Sequence, residues 1–192
     1  MRTPFIAHPV IERPWELQIL ELSFWRSPRG TDYLDIRFSG DRGGWLRFTQ
    51  PVDLSIESGF PSRTGGLYIA DRSDDQLEGI GVQVLDLESN HGAVRFSARS
   101  VERVAHQCWV FHGEGAQFSS SVFRELSDAR AWVAENRLTG VLTGYPFDES
   151  AYDWAVRTGR FVPQKPAHTS EGFIQRFTSG GQEHFHFVNG AG

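Results

Sequence analysis

The chain has 192 residues, which is enough for one large domain or two small ones. Aromatic residues make up 13% of it, and because each large ring buries about 150–250 Å², this composition is typical of a globular protein rather than a disordered one. The formal net charge of -5 argues against a nucleic-acid binder, since such proteins normally carry a basic face.

The sequence contains no run of about 18 apolar residues, so no membrane span is predicted. The first nine residues lack the apolar stretch of a secretory signal. Cys108 is the single cysteine, and it can form neither an internal disulfide nor a cysteine-based zinc site. These features predict a cytoplasmic protein.

Short stretches of alternating apolar and polar residues, separated by turn signals, fill the first half of the chain. The segment 15–25 carries apolar residues on both faces, which predicts a long strand covered on both sides. Leu34, Ile36 and Phe38 alternate with polar residues and predict a half-buried strand. Further strands are expected over 45–48, 52–56, 67–70, 80–87, 93–98 and 101–106. Strands at this spacing predict an antiparallel β-sandwich or open barrel over residues 1–107.

The pattern changes near residue 113, where helical segments begin to alternate with strands. Ser127 is the predicted N-cap of the first helix, and the second starts near Asp148 and ends at Gly159. The predicted elements are strands over 108–112 and 117–123, a helix over 128–136, a strand over 139–145, a helix over 149–158, a short helix or strand around 173–177, and a strand over 182–188. The chain is therefore predicted to be α+β, with a small α/β module over residues 108–192.

Two histidines, His184 and His186, lie two residues apart on the last predicted strand, so their side chains project from one face. Metal sites use this spacing, and a third ligand could come from His112 or His168. Together with Glu183, the pair could also supply acid/base or metal groups to an enzyme that acts on a small molecule.

The alternative interpretation of this strand is structural. The imidazoles then hydrogen-bond to their neighbours while Phe185 and Phe187 face the core. We favour this interpretation, so neither a metal nor another cofactor is predicted.

No other motif indicates catalysis. Cys108 could pair with His106, His112 or His184, but it lies in an apolar segment, whereas a reactive thiol needs an electropositive and partly exposed setting. The serines over 119–121 lack the flanking glycines of a hydrolase nucleophile, and no glycine pair belongs to a phosphate-binding loop. The chain is therefore predicted not to be an enzyme.

Acidic residues are concentrated between Asp71 and Glu88, where Arg72 is the only basic residue. Such a run is either a solvated loop and hairpin or a surface that steers a basic partner. The acidic residues predicted to contact a partner are Asp71, Asp74, Asp75, Glu78, Asp86 and Glu88.

Tyrosines and a neighbouring acid supply a second predicted contact surface, made of Tyr145, Tyr152 and Asp153. Tyr and Trp dominate interface hot spots, so Tyr152 and Trp154 could form a contact patch. In the other interpretation, which we favour, these two rings lie partly in the core, and Asp153 stabilises the N-terminal half of its helix.

The second half of the chain resembles a family of uncharacterised bacterial domains. The motifs that carry the resemblance are WVFHG (109–113), AWVAENRLTG (131–140), LTGYP (142–146), YDWA (152–155), FIQRF (173–177) and QEHFH (182–186). The resemblance implies a fold but no catalytic residues, because the family has no assigned activity.

The first half is similar to the β-rich domains of small bacterial immunity proteins, through GGLYIAD (65–71) and GAVRFSARS (92–100). Together the two resemblances imply an immunity protein of a polymorphic toxin system, whose partner is a cognate toxin. The toxin would be a nuclease or an ADP-ribosyltransferase, and neither nucleic acid nor a membrane is expected as a partner of the immunity protein itself.

Overall fold

A computed structural model describes residues 6–40, 42–57, 60, 66–75, 77–86, 94–178 and 180–192. The chain forms two compact units, Met1–Val104 and Ala105–Gly192, each with its own hydrophobic core. In the described residues, antiparallel sheets dominate and helices are few, so the chain is α+β as predicted.

The first unit is built from strands that pair into two antiparallel sheets. In the described residues, the strands are β1 (Ile6–Ala7), β2 (Ile19–Arg26), β3 (Asp32–Phe38), β4 (Gly44–Thr49), β5 (Val52–Ile56), β6 (Leu67–Asp71), β7 (Val82–Asp86), β8 (Val94–Ala98) and β9 (Ser100–Val104). The sheet orders are β1-β6-β7-β8-β5 and β2-β3-β4-β9. A 3₁₀ turn at Pro14–Glu16 precedes β2.

One core is shared by both sheets of the first unit. Leu34, Ile36 and Phe38 are buried on the inner face of β3, as their alternation predicts. Phe48 of one sheet meets Phe96 of the other edge to face, with ring centroids 4.8 Å apart. Two sheets packed on one core make a sandwich, which is one of the two predicted architectures.

The prediction that β2 is covered on both sides is wrong. Among the described strands, β2 pairs with β3 alone and forms an edge of its sheet, with a register shift between Ile19 and Glu21. Leu20 and Phe24 are 52% and 55% exposed, so neither side chain is covered as predicted. The strand also begins four residues later than the predicted start at Trp15, which lies in the 3₁₀ turn.

A buried ion pair lies on the outer face of the β2-β3-β4-β9 sheet. Arg47 donates two hydrogen bonds to Asp35, at 2.7 and 2.8 Å, and the indole N–H of Trp25 donates a third at 3.0 Å. The guanidinium carbon of Arg47 lies 5.1 Å from the Trp25 ring centroid and 5.2 Å from that of Tyr33. Asp35 is thus only 7% exposed, although it alternates with the core residues of β3.

The second unit is a sheet covered on one face by a helix. Its described elements are β10 (Gln107–Gly113), β11 (Ser121–Phe123), α1 (Leu126–Glu135), β12 (Gly140–Pro146), α2 (Ala151–Arg157), α3 (Glu171–Ile174) and β13 (His184–Phe187), with a 3₁₀ turn at Pro166–Thr169. The sheet order is β11-β10-β12-β13, and all of its pairs are antiparallel. Val133 of α1 packs with Phe111, Leu142 and Phe187 in the core.

The second unit begins at Ala105, slightly before the predicted boundary at 107/108. Gln107 already pairs with Pro146 in the sheet, and the N–H of Phe147 donates to the carbonyl of His106 at 3.0 Å. The segment 173–177, for which the sequence allowed a helix or a strand, begins with the helix α3.

The predicted cap of the first helix is wrong, and the second helix begins two residues after its predicted start at Glu149. α1 begins at Leu126, and its N-cap is Glu125 rather than Ser127. Leu126 packs against the core, so the helix takes in residues ahead of Ser127. In α2, Asp148 has a positive φ of 57° in the preceding turn, and Ser150 is the cap: its Oγ accepts a hydrogen bond from the N–H of Asp153 at 3.0 Å.

Ser150→Ala should therefore cost about 1 kcal/mol of free energy of unfolding, because an N–H in the first turn of α2 loses its acceptor. The matched variant Ser127→Ala should change the free energy of unfolding by less than about 0.5 kcal/mol, since Ser127 is not the N-cap of α1. Urea unfolding of both variants, followed through second-unit NMR signals, measures the difference. A larger loss in Ser127→Ala would contradict the cap assignment.

Candidate functional site

The loop between β6 and β7, which follows Asp71, holds half of the predicted acidic contacts, namely Asp74, Asp75 and Glu78, and Arg72 fixes the shape of this loop. The Arg72 guanidinium donates to Asp75 at 2.7 Å and twice to the Gln83 side chain, at 3.2 and 2.9 Å. The N–H of Arg72 also donates to the carbonyl of Gly81 at 2.9 Å. The one basic residue of the acidic run is therefore used inside the loop.

The remaining acids of this loop divide into anchored and exposed groups. Asp71 accepts hydrogen bonds from the hydroxyl and N–H of Ser73 at 2.6 and 2.9 Å, and these bonds lower the pKa of Asp71. Asp74 and Glu78 are exposed, and Leu77 between them is 51% exposed. We call Asp74, Leu77 and Glu78 the acidic tip.

The acidic run does not form one patch. In the ladder between β6 and β7, Val82 pairs with Asp71 whereas Asp86 pairs with Leu67. Four residues of extended strand put Asp86 about 13 Å from the end of β7 that carries the loop. Glu88 lies outside the described residues. The structure thus groups Asp71, Asp74, Asp75 and Glu78 and separates Asp86 from them.

The predicted aromatic contacts lie in the other unit, and Tyr152 is a core residue there. It is 9% exposed, and its ring packs on Phe161, Phe173 and Phe177 with centroids 5.3–6.4 Å apart. Tyr152 therefore offers a partner almost no surface and instead anchors the irregular segment after α2. The sequence predicted only that Phe173 and Phe177 belong to a short helix or strand, and it did not indicate that they and Phe161 pack on Tyr152.

The two other predicted contacts of this unit are more accessible. Tyr145 is half-buried on the sheet face that α1 does not cover, where it pairs in register with Cys108. Asp153 is exposed, but one carboxylate oxygen accepts a hydrogen bond from the hydroxyl of Ser150 at 2.6 Å. Asp153 therefore takes part in capping α2.

The histidine pair on β13 has the predicted geometry, but neither of the two histidines predicted as a third ligand joins it. His184 and His186 are exposed, and their ring centroids are 5.2 Å apart. His112 shares their face, but Val141 lies between it and His186 in register, which implies about 9–10 Å between those strands. His168 instead stacks on Phe173 at 5.0 Å. Within the described residues, no three His, Cys, Asp or Glu side chains are grouped to hold a metal ion.

The neighbours of this pair match the structural interpretation of the strand. Nδ1 of His184 lies 2.8 Å from the carbonyl oxygen of Gln182, and since a carbonyl only accepts, Nδ1 is the donor. Phe187 is buried and Phe185 is half-buried on the opposite face.

Cys108 is half-buried on β10, and burial raises the pKa of its thiol. A nucleophilic cysteine needs the opposite shift, because the thiolate is the reactive form. The environment of Cys108 therefore disfavours thiolate chemistry.

A cleft in the first unit was not indicated by any sequence pattern. Its volume is about 280 Å³, and it is lined by residues 7–9 and 11–15 of the segment before β2 and by Tyr68 and Ile69 of β6. Trp15 and Tyr68 lie nearly parallel across its wall, with ring centroids 6.4 Å apart and an interplanar angle of 11°. Trp15 is 43% exposed.

None of the helices in the described parts of the chain combines the length and apolar character that crossing a membrane requires. No curated protein and no solved structure matches this chain significantly. One family model matches, over residues 108–192, and these residues contain every motif quoted above for the second half. Residues 108–192 are thus similar to a family described as a domain of unknown function (DUF7710).

Proposed function

We propose that this protein is an immunity protein that binds and neutralises a cognate antibacterial toxin. The observation that carries the proposal is the acidic tip: Asp74 and Glu78 are exposed beside an exposed Leu77, while Arg72 is paired inside the loop. Toxins that cleave nucleic acid or transfer ADP-ribose bind anionic substrates. Carboxylates on a projecting loop can occupy such a cationic cleft in the place of phosphates.

The hydrogen bonds behind the acidic tip favour binding by a preformed loop. Arg72 bonds to Asp75, Gln83 and Gly81, so these residues need little ordering when a partner binds. A preformed surface loses less conformational entropy on association than a flexible one. The net charge of -5 adds long-range attraction to a basic toxin, which raises the association rate.

The proposed activity is contact alone, without a cofactor or a catalytic step by this chain. We place it in the cytoplasm, where a lone thiol such as Cys108 stays reduced. Whether the toxin is a nuclease or an ADP-ribosyltransferase is determined by measuring which of these two enzymatic activities the protein suppresses.

The direct test is co-expression with the toxin domain encoded by the neighbouring gene. We expect the two proteins to co-purify and the purified immunity protein to suppress the toxin's activity at micromolar concentration. Failure to bind or suppress any toxin encoded next to it would reject the proposed function.

A double variant, Asp74→Asn with Glu78→Gln, should lower the association rate with the toxin about 3- to 10-fold at low salt, because steering depends on charge at the contact surface. The control, Glu102→Gln with Glu114→Gln, changes the net charge equally at two other exposed acids. It should lower the rate less than about twofold. Stopped-flow binding measures both rates, and equal losses would show that only net charge matters.

A further inference from the structure

We infer that the cleft beside β6 receives an aromatic side chain of the toxin that is flanked by basic residues. This inference rests on the proposed function and specifies what its first unit recognises. The cleft and the acidic tip would then act as neighbouring parts of one docking face.

The walls of the cleft favour a flat ring. Trp15 and Tyr68 both line it and are inclined to each other by only 11°, so a third ring can stack in the same orientation. Ile11 and Ile69 also line it but are buried in the core behind it, and Pro9 and Pro14 remove two backbone N–H donors from the lining. Few backbone N–H groups of the cleft therefore lose hydrogen bonds to water when an aromatic side chain enters.

The cleft is held in shape before any ligand binds. The N–H of His8 donates to the carbonyl of Ile69 at 2.9 Å, and this bond joins the cleft-lining segment before β2 to β6. The Arg103 guanidinium donates to the carbonyls of Val10, Gly43 and Arg42, at 2.9, 2.6 and 2.8 Å. One arginine thus fixes the segment to the turn before β4.

The size of the cleft favours a side chain over a free small molecule. Its volume of about 280 Å³ is at the lower limit of small-ligand pockets, which are typically about 300–1,000 Å³. Trp15 is 43% exposed, so a free ligand would remain largely in water. A side chain that projects from a protein brings its own surface to cover the rim, as interface hot spots require.

Charge around the cleft specifies the residues next to that ring. At the rim, Arg13 and Arg42 both pair with Glu16, at 3.2 and 2.7 Å, and the charges of Glu12 and Glu16 balance those of the two arginines. Asp71, at the end of β6, lies three residues beyond Tyr68 and therefore about 10 Å from it along the strand. The acidic tip follows Asp71 in the chain. Arg103, which holds Val10 and Arg42, adds one positive charge at the rim, whereas beyond Tyr68 four acids (Asp71, Asp74, Asp75 and Glu78) face Arg72 alone. The net charge of the cleft rim and the neighbouring loop together is therefore negative, which favours basic flanking residues in the partner.

The test measures the binding of blocked tripeptides to the full chain by NMR. The signal followed is the indole N–H of Trp15, which is assigned by its loss in Trp15→Phe. We expect Arg-Trp-Arg to shift this signal, with about millimolar affinity. Arg-Leu-Arg and Glu-Trp-Glu should each bind about fivefold more weakly or worse, because one lacks the ring and the other reverses the charge. Trp15→Leu lacks the indole signal, so its binding, like that of Tyr68→Ala, is followed through the backbone N–H signal of Ile69, which also lines the cleft. Both variants should weaken Arg-Trp-Arg binding similarly, whereas Trp154→Ala, in the other unit, should not.

Equal binding of Arg-Trp-Arg and Arg-Leu-Arg would overturn the inference, as would unchanged binding by Trp15→Leu. If N-acetyl-tryptophanamide binds as tightly as Arg-Trp-Arg, the contribution of the neighbouring acids is refuted. Toxin neutralisation is measured separately. Neutralisation that persists in Trp15→Leu with unchanged affinity rejects the cleft alone, and tripeptide binding without any neutralised toxin rejects the proposed function alone.

Discussion

Asp35→Ala is expected to lower the free energy of unfolding of the first unit by about 3–5 kcal/mol. The substitution leaves the Arg47 guanidinium, whose side chain is 11% exposed, without the carboxylate that accepts two of its hydrogen bonds. It also removes the acceptor of the Trp25 indole N–H. A buried charge without a partner is far more costly than the pair itself is stabilising. Urea unfolding followed by NMR measures the stability of each unit through its own signals. The second-unit signals serve as the internal reference.

Asp32→Ala is the matched control, because Asp32 pairs with Arg26 at the exposed end of the same two strands. The Arg26 side chain is 67% exposed, so water replaces the lost partner and the cost should be about 0–1 kcal/mol. The double variant Asp35→Leu with Arg47→Met should recover most of the loss, because neither side chain then carries a buried charge. Equal effects of Asp35→Ala and Asp32→Ala would show that burial does not govern the Asp35 pair.

Gly140→Ala is expected to destabilise the second unit by about 2–4 kcal/mol, through overlap with fixed backbone. A Cβ at this position would overlap the carbonyl oxygen of His112 and lie 2.8 Å from the Phe111 ring. Gly140 pairs with Gly113 and with Phe187, so β10 and β13 flank it and neither can move without breaking the ladder. The same NMR-detected unfolding measures the loss, now with first-unit signals as reference.

Gly172→Ala is the control for this substitution. A Cβ at Gly172 meets nothing within 4 Å, and the residue lies in α3, so alanine should be neutral or stabilise by up to about 1 kcal/mol. A Gly140→Ala variant as stable as Gly172→Ala would mean that the sheet can widen at β12.

Local patterns determined much of the fold. The alternation of Leu34, Ile36 and Phe38 identifies the inner face of β3, because a strand with one buried face must repeat every two residues. The order of elements in the second unit was likewise predicted correctly, down to a C-terminal strand with Phe187 inward. Gly159 marks the end of α2 and has a left-handed φ of 72°, as the sequence indicated.

The candidate sites depended on contacts that local patterns do not encode. The sequence predicted one acidic run, but the length of β7 separates Asp86 from the acidic tip. It also left Tyr152 open between a core residue and a contact residue, and the phenylalanines folded over it, which leave it 9% exposed, place it in the core. Each outcome depends on strand length or chain reversal, which composition and periodicity do not specify.

The sequence by itself determined the α+β class, the positions of most strands and the concentration of acidic residues ahead of β7. Only the tertiary structure decided that Asp35 is buried against Arg47 and that Trp15 meets Tyr68 in a cleft. The physical reason is the same for both. Periodicity reports which face of a strand a residue occupies, but strand pairing, which joins β1 to β6 across some 60 residues, decides which side chains meet.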